Sequence, residues 1–281
     1  MLPAELEIAA ASIIGRDHVW FGKNNQDAWC WALPGSAAIL IVCDGCSSGT
    51  HSEVGAKLGA RMAVGAIQQE LTRATPRDAD EIDGLLEVVR EKLLQQLRAL
   101  AAELGANLAA VVQDFLLFTI TGALITEKQT ALFALGDGVL ALNGEVLRVG
   151  PFPGNEPPYL AYALIDSLRG FPKQALRFQV LRTLPTEQLN SVLVASDGAA
   201  GWDAFAERQL PGRAELAGPL NQFWSDERYF RNKDLLRRRL ALMNREVNRT
   251  DWSNRRMTKD VGLLSDDTTI VICRRKEIAP A

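Results

Sequence analysis

Histidine is the scarcest functional residue in this 281-residue chain, present only as His18 and His51. Zinc and haem sites draw on several imidazoles or thiolates, and four cysteines (Cys30, Cys43, Cys46 and Cys273) add little to that supply. Those cysteines lie in apolar stretches and read as reduced thiols, not as a disulfide framework. Long hydrophobic runs are also missing, since none approaches the ~20 residues of a membrane span. So is an excess of basic charge: 31 Lys+Arg against 34 Asp+Glu give a net charge of −3 and a pI of about 5.6. A general nucleic-acid binder would carry a basic footprint instead. The start, Met1-Leu-Pro-Ala-Glu-Leu-Glu7, is acidic where a signal peptide would be basic. The expectation is a cytoplasmic protein, monomeric, with no nucleic-acid or membrane partner.

What is present suits a folded globule. Hydrophobic residues make up 47% and charged residues 23%, and a chain of this length buries about 75% of its unfolded surface. No repeat, low-complexity stretch or linker divides it, so residues 1–281 are expected to form one domain. Short β-prone runs span residues 7–14, 28–33 and 37–43, separated by Gly, Pro and Asn. Apolar residues then recur at helical spacing from Ser52 to Leu104, with Thr75-Pro76-Arg77-Asp78 separating two helices. Strands are expected again over 115–126, 129–135 and 139–149, the last with a tight turn at Asn143-Gly144. Residues 150–172, rich in proline, read as a surface flap. Strands follow at 175–183 and 191–196, a mostly helical stretch at 202–249 with one helix over 235–249, and a final strand at 268–273. Sheets covered by helices are the implied architecture.

Three apolar runs end in Asp-Gly: Asp44-Gly45, Asp137-Gly138 and Asp197-Gly198, and the pair Asp266-Asp267 precedes the last strand. Asp-Gly is a common turn dipeptide. As a set, however, aspartates crowded at strand ends repel one another unless a cation neutralises them. Oxygen ligands with a glycine that admits a backbone carbonyl fit Mg²⁺ or Mn²⁺ and not zinc.

The motifs Asn25-Gln26-Asp27-Ala28, Val42-Cys43-Asp44-Gly45, Leu135-Gly136-Asp137-Gly138, Ser196-Asp197-Gly198 and Asp266-Asp267-Thr268-Thr269 occur in the order and rough spacing of the metal-dependent serine/threonine phosphatases of the PP2C type. The resemblance runs from about Ile13 to Cys273 and is strongest to bacterial members. It implies an α/β fold of the α+β kind, a four-layer αββα sandwich of two central antiparallel sheets flanked by helices. By the same resemblance Asp44 bridges two ions, Gly45 gives its carbonyl to the second, and Asp197 and Asp266 complete the first. Asp137 matches a position that helps hold a third ion, and Asp27 an acid that orients metal-bound water. The implied chemistry is in-line attack of a metal-activated water on a phosphoserine or phosphothreonine of a phosphoprotein, with two or three Mn²⁺ or Mg²⁺ ions.

The chain departs from the family pattern at three places. Gln26 replaces a usual glutamate, Gly22 a usual arginine, and Cys46 the histidine that often serves as general acid. Arg16, His18 and Lys23 are the nearest candidates for phosphate contact, and His18, Cys46 and His51 for the leaving-group acid. These departures support an alternative, a weakly active or inactive relative that binds phosphoproteins. Cys43-Asp-Gly-Cys46 also spells a redox motif, which would leave the aspartates unexplained. Trp20, Trp29 and Trp31 read as core or as a wall beside the site. Arg237, Arg238, Arg239, Arg245, Arg249, Arg255 and Arg256 read as a solvated face or as a docking surface for an acidic partner.

Overall fold

The computed structural model describes residues 2–165 and 171–276. Two five-stranded antiparallel sheets face each other. One contains β1 (Leu6–Ile13), β6 (Gly138–Leu142), β7 (Glu145–Val149), β9 (Ser191–Ala195) and β12 (Thr268–Arg275), in the spatial order β1-β12-β9-β6-β7. The other contains β2 (Asp27–Ala32), β3 (Ala38–Asp44), β4 (Ile120–Ile125), β5 (Gln129–Leu135) and β8 (Gln179–Pro185), in the order β2-β3-β4-β5-β8. A separate two-stranded hairpin is formed by β10 (Val247–Asp251) and β11 (Arg256–Asp260).

The apolar runs become interior strands because both of their faces are covered. In β3 the alternation sends Leu40 and Val42 into the core between the sheets, and Ile39, Ile41 and Cys43 outward beneath helices. Those helices are α2 (Ser52–Leu71) and α3 (Ala79–Leu104). Asp78 caps α3 by accepting the Glu81 N–H at 2.9 Å. The opposite sheet is covered by short helices whose Trp202, Phe223, Leu236, Leu240 and Met243 pack on Ala9, Ile270 and Ile272. Helix, sheet, sheet, helix is the four-layer sandwich expected from the motifs. The Asn143-Gly144 turn also forms as expected, with φ of 50° and 90° between paired Leu142 and Glu145.

Several expectations need correction. The helix expected over 235–249 ends at Met243, and Val247–Asp251 pairs with Arg256–Asp260 instead. Its buried stripe is Leu236, Leu240 and Met243, and Val247 alone cannot continue it. The rest of 202–249 holds only four-residue helices, at Trp202–Phe205, Gln222–Ser225 and Arg228–Arg231. The strand expected from 115 starts at Ile120, after a π turn over Val112–Leu116. The strand expected at 175–183 is displaced to Gln179–Pro185. The expected flap is only partly a surface feature: Leu160–Leu164 forms a 3₁₀ turn in which Leu160, Ala161, Tyr162 and Leu164 are buried against the α2–α3 layer. Residues 166–170 of that stretch lie outside the described residues.

Candidate metal centre

Both sheets deliver their carboxylates to the same edge. Asp27 opens β2 and Asp44 closes β3, and the two are paired across the strands. Asp137 occupies the turn from β5 to β6, Asp197 follows β9, and Asp266 stands two residues before β12. Asp44, Gly45, Asp137, Asp197 and Asp266 line one cleft of about 370 Å³, together with His18, Cys46, Glu156 and Tyr159. Two glycines permit this convergence. A Cβ on Gly45 would stand 2.9 Å from both the Gln26 carbonyl oxygen and the Ser52 hydroxyl, and one on Gly198 would overlap the Asp267 carbonyl.

Crowding makes Asp27, Asp44, Asp137 and Asp266 reluctant to ionise. Burial raises Asp44 well above the usual carboxylate range, and the neighbouring Asp27, Asp197 and Asp266 push it further. Asp27 is raised by burial and then by Asp267, against the opposing hydrogen bond from Ser196 Oγ to its Oδ2 at 2.6 Å. Asp137 rises to about 6 through burial and the charge of Asp197. Asp266 rises for the same two reasons.

Asp267 holds the site together, a role the sequence did not assign to it. Its carboxylate is buried and accepts the Gly15 N–H at 2.6 Å and the Gln26 N–H at 2.5 Å. His18, carried by the short helix α1 (Arg16–Trp20), places Nδ1 3.0 Å from Asp267 Oδ2 and Nε2 3.7 Å from Asp266 Oδ1. Contact with Asp267 raises the His18 pKa in spite of partial burial. Tyr159 was also missed: its phenol meets Cys46 and is held protonated by burial, Cys46 and the nearby aspartates. Cys46 Sγ lies in addition 3.1 Å from Ser48 Oγ.

Other expected residues lie elsewhere. Arg16 is directed away from the cleft: it donates to Asp17 at 2.8 Å and to the Gly262 carbonyl at 2.8 Å, and stacks over Trp20 at 4.9 Å. Lys23 donates to the Ser47 carbonyl at 2.6 Å and lines a neighbouring recess that also contains His51. Among the described residues lining the cleft there is no lysine or arginine. Cys43 and Cys46 are both free, with Cys43 in the core and Cys46 in the cleft, so they do not act as a redox pair in this arrangement.

The residues fit a hard divalent cation. Among the described residues no hydrogen-bond donor reaches the buried Oδ1 of Asp27, Oδ1 of Asp197 or Oε1 of Gln26, and such buried acceptors need a partner. An all-oxygen set of mutually repelling carboxylates suits a hard cation. His18, Asp266 and Asp267 also bring ligand atoms within 4.8 Å of one another.

Fold and site thus define an acid-lined cleft, a candidate cation centre, at the edge of a four-layer sandwich. Residues 14–241 match the family model of protein phosphatase 2C, and the chain belongs to that family. Solved bacterial structures share the fold. A bacterial serine phosphatase variant aligns over 98% of this chain and 100% of its own, at 13% identity and a TM-score of 0.54. A serine/threonine phosphatase from Staphylococcus aureus aligns over 97% and 96%, at 12% identity and a TM-score of 0.51. One from S. agalactiae aligns over 96% and 100%, at 16% identity and a TM-score of 0.50. No curated protein sequence matches the chain.

Proposed function

We propose that the protein hydrolyses phosphoserine or phosphothreonine in phosphoproteins with the help of Mn²⁺ or Mg²⁺. The observation that carries this reading is the convergence of Asp44, Asp137, Asp197 and Asp266 on one cleft, where burial and neighbouring charge hold Asp44, Asp137 and Asp266 back from ionising without a cation. Asp44, Asp197 and Asp266, with the Gly45 carbonyl and Asp137, would hold these ions. Bound there, the ions would supply Lewis-acid charge to the phosphoryl group and lower the pKa of an attacking water.

The protein's own groups do the rest. Asp27, fixed by Ser196, has one free carboxylate oxygen to orient that water. With no arginine among the described residues of the cleft wall, His18 is their cationic group once protonated, and Asp267 favours that form. His18 is placed to contact phosphoryl oxygens or to give a proton to the leaving alkoxide. Cys46 and the protonated Tyr159 line the same cleft as further donors.

Gln26 supports a second reading, a phosphoprotein-binding relative with little turnover. Its Nε2 donates to Ser52 Oγ at 2.7 Å, and the charge of a carboxylate is missing there. Hydrolysis of p-nitrophenyl phosphate and of a phosphothreonine peptide, with Mn²⁺ added to chelated protein, separates the two. Turnover well above an Asp44→Asn control supports the enzyme; none above it establishes the binding module.

A further inference from the structure

The β10–β11 hairpin contributes no residue to the cleft, and it lies beyond residues 14–241 that the family model matches. It is nonetheless coupled to the site through α1. That helix turns His18 toward Asp266 and Asp267, while Trp20 Nε1 donates to Glu246 Oε1 at 2.6 Å and carries Lys259 Nζ 5.5 Å above its ring. The irregular segment leading from the hairpin to Asp266 is pinned to α1 by the Arg16 N–H on the Leu264 carbonyl at 2.9 Å and the Asp17 N–H on the Ser265 carbonyl at 3.1 Å.

The surface so formed is apolar and basic. Trp252 is 85% exposed, Phe21 77% and Met257 69%. Arg249, Arg256 and Lys259 each face one carboxylate, Asp260 at 3.0 Å, Asp251 at 3.6 Å and Glu246 at 2.7 Å. Exposed Arg245 and Arg255 have no ion-pair partner among the described residues. Behind the hairpin a recess of about 290 Å³ is lined by Arg208, Arg213, Arg249 and Lys259, with Asp260 as its single carboxylate. This concentration of cations stands out in a protein of net charge −3.

We propose that α1 and the β10–β11 hairpin dock an acidic segment of the phosphoprotein substrate, next to the phosphorylated residue held in the cleft; the proposal rests on the phosphatase reading. α1 joins the two places, with His18 in the cleft and Trp20, two residues on, against Glu246 and Lys259, so an extended chain advancing ~3.3 Å per residue has a continuous surface to follow from one to the other. Cations interspersed with carboxylates suit separate acidic side chains, and the exposed aromatics offer anchors for apolar residues between them.

The test compares two phosphothreonine peptides, one with acidic and one with neutral flanking residues, and p-nitrophenyl phosphate as a reference that reaches only the cleft. Wild type is expected to prefer the acidic peptide by about tenfold in kcat/KM at low salt, chiefly through KM, with the preference fading as salt is added. Arg245→Glu/Arg255→Glu breaks no internal ion pair, so it should abolish the preference while turnover of p-nitrophenyl phosphate stays unchanged. Equal kcat/KM for both peptides in wild type, or a preference that survives the double substitution, overturns docking. So does a double substitution that weakens binding to phosphatidylserine vesicles and leaves the peptides unaffected. If p-nitrophenyl phosphate is not turned over, the phosphatase reading fails on its own, and anisotropy of a labelled acidic peptide still decides docking by its loss or retention in the double variant.

Discussion

Replacing Asp137 with asparagine should stabilise the metal-free protein and weaken its response to metal. Asp137 is buried, and its pKa rises from 3.8 to about 6 through desolvation and the charge of Asp197. Well below pH 3.8 the group is protonated in folded and unfolded chains alike and costs nothing. As pH rises, the unfolded chain releases its proton first, so the native state loses stability until pH passes about 6 and the penalty levels off. At ~1.36 kcal/mol per pKa unit the full penalty is about 3 kcal/mol, or on the order of 6 °C in Tm for a chain of this size. Asparagine keeps the shape and removes the charge. With EDTA present, scanning calorimetry should therefore show Asp137→Asn melting above wild type at pH 8, with the gap closing toward pH 4. Saturating Mn²⁺ should reverse the order, because the wild-type carboxylate then has a cation to meet. A gap independent of pH, or equal stabilisation of both proteins by Mn²⁺, would refute the electrostatic account of this cluster.

Gly198→Ala puts a methyl group into the Asp267 carbonyl and should lower stability by more than ~2 kcal/mol, read from urea denaturation. Asp267→Asn removes the charge that raises the His18 pKa and cannot accept both the Gly15 and Gln26 N–H groups; the alkaline limb of the pH–rate profile should move to lower pH, and stability should fall by about 2 kcal/mol. An unmoved limb would mean that His18 protonation is irrelevant to turnover. His18→Gln should cost roughly 10²-fold in phosphopeptide turnover without shifting the Mn²⁺ concentration of half-activation. A large shift in that midpoint would instead make His18 a metal ligand.

The layers and the aspartate constellation were legible in the sequence because their signals are local. Each of Asp44, Asp137 and Asp197 ends or follows a buried apolar run, next to a glycine that the close backbone packing requires. Asp267 was not legible, since its partners Gly15 and Gln26 are 252 and 241 positions away and only the folded sheets bring them together. Arg16 was placed wrongly because nearness in sequence does not fix direction: two positions along a helix turn a side chain about 200°, so when His18 faces the cleft Arg16 faces away. The hairpin was not legible, and the helix expected over 235–249 runs into its first strand at Val247–Arg249. Its partner strand begins five residues after β10 ends, and no buried stripe supports a longer helix.

The phosphatase reading stands on Asp44, Asp197 and Asp266 holding divalent cations together in one cleft. Titrating Mn²⁺ into chelated protein, with free ion followed by electron paramagnetic resonance, tests it most directly. Wild type should take up at least two ions, more tightly as pH rises from 5 to 8, and Asp44→Asn should lose at least one and bind the remainder more weakly. Equal uptake by the two proteins, or no uptake by wild type at millimolar Mn²⁺, would contradict the claim.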